Sequence, residues 1–387
     1  MFIKEKYYLI TIIYLCIFKL NAQTAFQNFG TIQIHTNGEI GFHTNLVNDG
    51  TFDQNKGLVG FYNNNNFLEV LGANKPVFYN VEVDVVDDLY LGTSVGVTNN
   101  LSFITGKVQT PRDNTSISLE FLNYNVYSGE GDNEYVDGYV LTENIGEFIF
   151  PIGDDDSFRP MIIPNQEVNT YYKGAYFKEN PNSPTTFLQS FNTKNMQFEL
   201  SKINEEEFWD LDGNMETNVV LTWDSTSKIN LISNDIKNLR VVGWDKITGK
   251  WVDLGSENVV GNINEGSIKS SKFIPNDYDV LTIGSDLRNV LGVITSKNYG
   301  ISPNGDGIND TFVIEGLELY PNNTLKILNR WGAVVYSTTN YKNDWDGISE
   351  HELTIGKKTR LPAGTYFYIL YLNGKKSSRT GYIYLNR

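Results

Sequence analysis

From Thr24 to about Gly146, short apolar runs alternate with turns rich in Asn and Gly: Ile40-Gly-Phe-His43, Gly57–Tyr62, Val77–Tyr79, Leu89–Leu91 and Ile117–Phe121. Short runs of β-branched and aromatic residues bounded by turn formers read as strands. Asn48-Asp-Gly-Thr-Phe52, with Gly57 after it, is echoed by Asn99-Asn-Leu-Ser-Phe103 with Gly106. Stacked repeats need about three units for a stable core. The pattern therefore predicts a short β-solenoid-like or irregular β region over residues 23–147. Phe148-Ile-Phe-Pro-Ile-Gly-Asp-Asp-Asp156-Ser-Phe-Arg-Pro160 then ends a strand and forces a turn. Beyond it the runs lengthen: Tyr171–Phe177, Met196–Leu200, Val219–Trp223, Leu239–Trp244, Trp251–Leu254 and Tyr278–Ile283. They predict an immunoglobulin-like β-sandwich over 148–287, without the cysteine pair of true immunoglobulin domains.

Residues 288–299 read as a linker, and 300–387 carry their own strand logic. Leu325–Leu328 and Ala333–Tyr336 flank Asn329-Arg-Trp-Gly332; Thr365–Leu372 and Thr380–Leu385 flank Asn373-Gly374. Asn-Gly suits a two-residue hairpin because both turn positions need positive φ. About seven strands in a small C-terminal β-sandwich follow. After the first residues no segment of helical length has a 3.6-residue period, so the fold class is all-β and multi-domain.

The N-terminus has the form of a secretory signal peptide over residues 1–22. Lys4 and Lys6 precede an apolar Tyr7–Phe18 run, and Leu20-Asn21-Ala22 offers a small residue before Gln23. Spanning a bilayer takes about 20 apolar residues, more than this run provides. Cys16 sits inside the run behind Leu15, which does not suit a lipoprotein site. Cleavage after Ala22 would leave no cysteine for disulfides, thiol chemistry or metal binding.

The 31 basic and 46 acidic residues give a net charge of −15. Residues 300–387 hold 10 basic and 8 acidic residues (+2), whereas 23–299 hold 18 and 37 (−19). Phosphate backbones need clustered Lys and Arg, so nucleic acid is excluded as a partner. The acidic surface reads as solvation.

The C-terminal segment also carries motifs in a fixed order. Ile301-Ser-Pro303-Asn304-Gly305-Asp306-Gly307-Ile-Asn309-Asp310 comes first, followed by Asn329-Arg330-Trp331-Gly332 and Trp345-Asp-Gly347. Leu361-Pro-Ala-Gly364-Thr365-Tyr366 and Gly381-Tyr-Ile-Tyr-Leu-Asn-Arg387 complete the set. This set resembles the gliding-motility-associated C-terminal domain, the type B sorting domain of the type IX secretion system. The resemblance implies passage through the periplasm and across the outer membrane, with an outer-membrane partner β-barrel of the secretion machinery. It also implies secretion or display at the cell surface. Arg330, Trp331 and Trp345 would then be recognition residues or core aromatics.

Candidate chemistry elsewhere is thin. Asn304, Asp306 and Asp310 cluster hard oxygen donors among glycines, which would suit calcium, although the EF-hand spacing is absent. The rival reading is a network of Asx turns. Gly92-Thr-Ser94-Val-Gly96 matches a nucleophile elbow in letters, but strand-like flanks make it a turn. His35 and His43 flank the Asn37-Gly38 turn. Glu205-Glu-Glu207 and Asp154–Asp156 read as solvated loops. The sequence thus predicts a non-enzymatic secreted or surface protein with an adhesive or structural part over residues 23–290. The first alternative is binding of extracellular polysaccharide or matrix through Trp209, Trp223, Trp244 or Trp251, although tryptophans at alternating strand positions more often fill a core. The second is a secreted hydrolase.

Overall fold

A computed structural model describes residues 25–123, 126–197, 199–286, 298–317, 320–349, 359–372 and 377–387. The leader at 1–22, most of the 288–299 linker, His351 and the Asn373-Gly374 turn lie outside the described residues. The chain divides into two compact units: Met1–Gln197 with Lys202–Gly284, and Phe198–Ser201 with Ser285–Arg387.

In the first unit, successive strands alternate between two parallel sheets. One stacks Ala25–Asn28, Asn45–Asn48, Leu68–Leu71, Leu89–Leu91, Val108–Gln109, Val136–Asp137 and Ile152–Asp154. The other stacks Glu39–Phe42, Leu58–Asn63, Val77–Val85, Val95–Thr105, Leu119–Leu122 and Val140–Asn144. Each coil contributes one strand to each sheet, which makes this region a β-solenoid. Asn28 lies over Asn48 and Asn80 over Asn100, so a coil takes 20 residues at these positions (48 − 28 and 100 − 80).

The side-chain period of two drives the stacking, because one face of each strand points inward. Leu46, Val59, Phe61, Val81, Val83, Leu101 and Phe103 are buried there. Rings continue from coil to coil, with Phe42 stacked on Phe61 at 5.5 Å and Phe52 edge-on to Phe78 at 5.1 Å. At one corner Asn28 Nδ2 donates to Asn48 Oδ1 (2.8 Å), and Asn48 Nδ2 donates to the Asn74 carbonyl (2.9 Å). This ladder satisfies buried amides that a turn would otherwise leave unpaired.

The true repeat differs from the expected echo. Asn48 ends a strand of one sheet, whereas Asn99 lies inside Val95–Thr105 of the other. The register-related segments are Asn28-Phe-Gly-Thr31 and Asn48-Asp-Gly-Thr51, joined by a bridge between Thr31 and Thr51.

The turn expected at Asp154–Asp156 is present. Asp155 and Asp156 adopt φ of 48° and 54°, and Asp154 pairs with Ser157. The second parallel sheet then continues as an antiparallel one, because Val140–Asn144 pairs with Thr170–Phe177. Phe208–Asp212, Tyr278–Asp286, Leu239–Asp245 and Lys250–Asp253 extend it. A second layer comprises Phe148–Phe150, Met161–Ile163, Val220–Trp223, Gly266–Lys269 and Asn258–Gly261. Trp209 and Leu211 of one layer share a buried cluster with Leu221, Trp223 and Ile268 of the other, as in a sandwich. The strand expected at Met196–Leu200 reduces to a bridge between Met196 and Trp251, and the next strand is Leu200–Ile203. Asn192 closes a turn just before it, its side chain accepting from the Lys194 N–H.

The second unit has a five-stranded sheet in the order Tyr299–Ile301, Ser377–Leu385, Gly364–Leu372, Thr324–Leu328, Val334–Thr339. One face is buried under Phe312, Ile314, Leu317, Tyr341 and Trp345, giving the unit its own core.

Candidate functional site

The period-two alternation of the C-terminal sheet sorts the motif residues into buried and exposed groups. Along Gly364–Leu372, Tyr366, Tyr368, Leu370 and Leu372 are buried, while Thr365 and Phe367 are exposed. Trp345 belongs to the core: its indole N–H donates to the Ile348 carbonyl (2.9 Å), and its backbone N–H donates to the Tyr341 hydroxyl (3.1 Å). Tyr366 packs edge-on to it and donates its hydroxyl to the Pro362 carbonyl (2.9 Å). The Gly347 carbonyl accepts from Leu361 and from the Arg387 guanidinium, both at 2.9 Å. Gly381 stands opposite Tyr368 in the register.

Asn329–Gly332 makes the opposite use of its residues. Asn329 Oδ1 accepts from the N–H groups of Trp331 and Ala333, each at 3.0 Å, and Gly332 supplies the φ of 79° that closes the turn. The turn carries Trp331 out to 76% exposure, with the Arg330 guanidinium 4.3 Å from its ring centre. Phe367 pairs directly with Tyr382, and Tyr384 lies further along that strand; all three are exposed. Leu328, Arg330, Phe367 and Tyr382 line a shallow groove of about 530 Å³. Aromatic faces beside a guanidinium form an amphipathic surface suited to protein recognition.

The Pro303–Asp310 loop is a network of Asx turns. Asp310 accepts from the N–H groups of Asn304 (3.0 Å), Gly305 (2.7 Å) and Gly307 (2.8 Å). The Gly305 and Gly307 amides hold its carboxyl below the usual carboxylate range. Asp306 accepts from the Ile308 N–H and the Asn304 side-chain amide, and the Asn309 carbonyl accepts from Ser302. The oxygens weighed for calcium are therefore engaged with the loop's own amides. Among the described residues, no three His, Cys, Asp or Glu side chains converge on a metal-binding geometry.

In the first unit the structure decides one alternative and overturns one expectation. Trp209, Trp223, Trp244 and Trp251 are buried in the sandwich, so none presents a platform to a sugar. Glu207 is also fully buried rather than solvated. It accepts from the Tyr176 hydroxyl (2.6 Å) and lies 3.3 Å from Arg159, which also pairs with Asp224 at 2.7 Å. The sequence hides this, because Glu205 and Glu206 beside it make the three acids look like a solvated run. Ser94 sits in a solenoid turn, where its hydroxyl donates to the Ser116 carbonyl (3.3 Å) and accepts from the Ser118 N–H (3.1 Å). His43 bonds the Tyr62 carbonyl, and the Gly38 N–H bonds the His35 carbonyl in the intervening turn.

Fold and surface together define a β-solenoid and sandwich body joined in sequence to a small β domain with an exposed aromatic face. The family described as the CHU_C type IX secretion signal domain matches residues 294–385, so the C-terminal part carries a type IX secretion signal. No curated protein and no solved structure matches the chain.

Proposed function

We propose that this protein is carried through the periplasm and across the outer membrane by the type IX machinery, to be secreted or held at the cell surface. In this reading the machinery, including an outer-membrane barrel, docks on the outward face formed by Arg330, Trp331, Phe367, Tyr382 and Tyr384. The observation that carries it is the partition of the motif: Trp345 and Tyr366 hold the core, while Trp331 and its stacked arginine stand in solvent. The body has a non-catalytic, adhesive role, supported by its stacked coils, which offer long flat faces built from rigid strands.

The test is secretion in a host with a type IX system. The full chain should reach the surface or medium, while a chain ending at residue 299 should stay in the periplasm. Trp331→Ala with Phe367→Ala should fold normally yet be retained. Normal export of the truncated chain would end the reading of residues 300–387 as the export determinant. Normal export of the double variant would move recognition off this face.

A further inference from the structure

The outward face of the second parallel sheet has a trough of about 550 Å³ that neither the export signal nor the core explains. Glu39, Lys56, Tyr79, Asn80, Glu82 and Asn100 line it. They come from successive coils: Glu39 pairs with Leu58, Leu58 with Asn80, and Asn80 with Asn100. Parallel neighbours are about 4.8 Å apart, so four coils set out repeating polar groups along roughly 15 Å.

The Asn80, Asn100 and Glu82 side chains are held by neighbours and still have bonding capacity. Asn99 Nδ2 donates to Asn80 Oδ1 (2.7 Å), which orients the Asn80 amide and leaves its own N–H groups to donate outward. Asn100 Nδ2 donates to Ser102 Oγ (2.9 Å), leaving the Asn100 carbonyl oxygen to accept. The side chains of Glu39, Lys56 and Tyr79 make no hydrogen bond or ion pair to any described residue. Glu82 accepts from the Tyr62 hydroxyl with one oxygen (2.7 Å), and its other oxygen has no partner among the described residues. The Tyr62 ring lies flat over Gly60, where a Cβ would come within 2.0 Å of it. Burial and the Glu82 hydrogen bond push the Tyr62 phenol up to about 12, so it remains a donor at neutral pH.

This chemistry selects among ligands. Paired amide donors and acceptors with carboxylate acceptors match vicinal hydroxyls, which both give and take hydrogen bonds. Tyr79 adds an aromatic side chain with an apolar body and a polar tip. Two carboxylates against one ammonium disfavour uronates and sulfated chains by like-charge repulsion. Resting on the reading of the body as a binding part, we propose that this trough binds a neutral oligosaccharide chain laid across the coils.

The experiment is calorimetric titration of the full chain with neutral hexasaccharides (cellohexaose, xylohexaose, laminarihexaose and mannohexaose) and with hexagalacturonate. At least one neutral hexamer should bind. Asn80→Ala and Glu39→Gln should each weaken it roughly 10- to 100-fold, the loss of one hydrogen bond to a fixed or charged group. Both positions are on the surface, and unchanged thermal unfolding of each variant shows that the fold persists. Binding of hexagalacturonate alone, no binding of any hexamer, or neutral binding unchanged in both variants would each overturn the trough assignment. Adhesion of beads coated with the full chain to cell surfaces separates the two proposals. Adhesion that persists while every hexamer fails removes the trough and keeps the adhesive body. Absence of adhesion removes the adhesive body, and sugar binding is then judged by the titration alone.

Discussion

Replacing Arg159 with methionine strands a carboxylate inside the sandwich. Arg159 is 2% exposed and Glu207 is fully buried, with Nε and Oε2 3.3 Å apart. The only hydrogen bond to the Glu207 carboxylate among the described residues is from the Tyr176 hydroxyl, and Oε1 has none. Removing one partner of a buried pair costs about 3–5 kcal/mol, because the remaining charge is left without compensation. For a unit of this size that corresponds to roughly 6–20 °C in Tm. Guanidinium unfolding followed by tryptophan fluorescence suits the measurement, since Trp209 packs 5.3 Å from the Tyr176 ring. The double variant Arg159→Met with Glu207→Leu removes both charges and should recover most of the loss. A single variant within about 1 kcal/mol of the parent would mean that the pair does not hold the two layers, and the reasoning would fail.

Three further outcomes follow from the same structure. Asp210 is buried and accepts from the Tyr139 hydroxyl (2.7 Å); burial first, then the nearby Asp212 charge, pushes its carboxyl up to about 7. A raised folded pKa gives stability that is full below pH 4 and lost as pH rises through 7. The stability of Asp210→Asn relative to the parent should therefore climb across that window, by up to about 4 kcal/mol, in denaturation series at fixed pH. Asn48→Ala breaks the corner ladder and leaves the Asn28 amide only its longer bond to the Thr51 carbonyl (3.3 Å), so the body should lose about 1–3 kcal/mol by urea titration. Trp345→Ala should cost about 3–5 kcal/mol of the C-terminal domain's stability, whereas Trp331→Ala should stay within about 0.5 kcal/mol, read by thermal unfolding.

The sequence by itself determined the all-β class, the type of most strands and the export signal. Strand and turn chemistry are local: Leu89–Leu91 is bounded as its residues predict, and Asn329 with Gly332 dictates its own turn. The secretion signal was legible because its motifs occupy short contiguous windows. Tertiary structure decided what depends on partners distant in the chain. Solenoid register is set by which inward faces stack, so the 20-residue relation of Asn28 to Asn48 was hidden behind a closer-looking match at Asn99. Burial is likewise a property of the assembled layers: four tryptophans that the sequence left open as core or sugar platform fill the sandwich, and Glu207 leaves an acidic run to meet Arg159. The trough exists only because Glu39, Asn80 and Asn100, apart in the sequence, are brought together by parallel pairing.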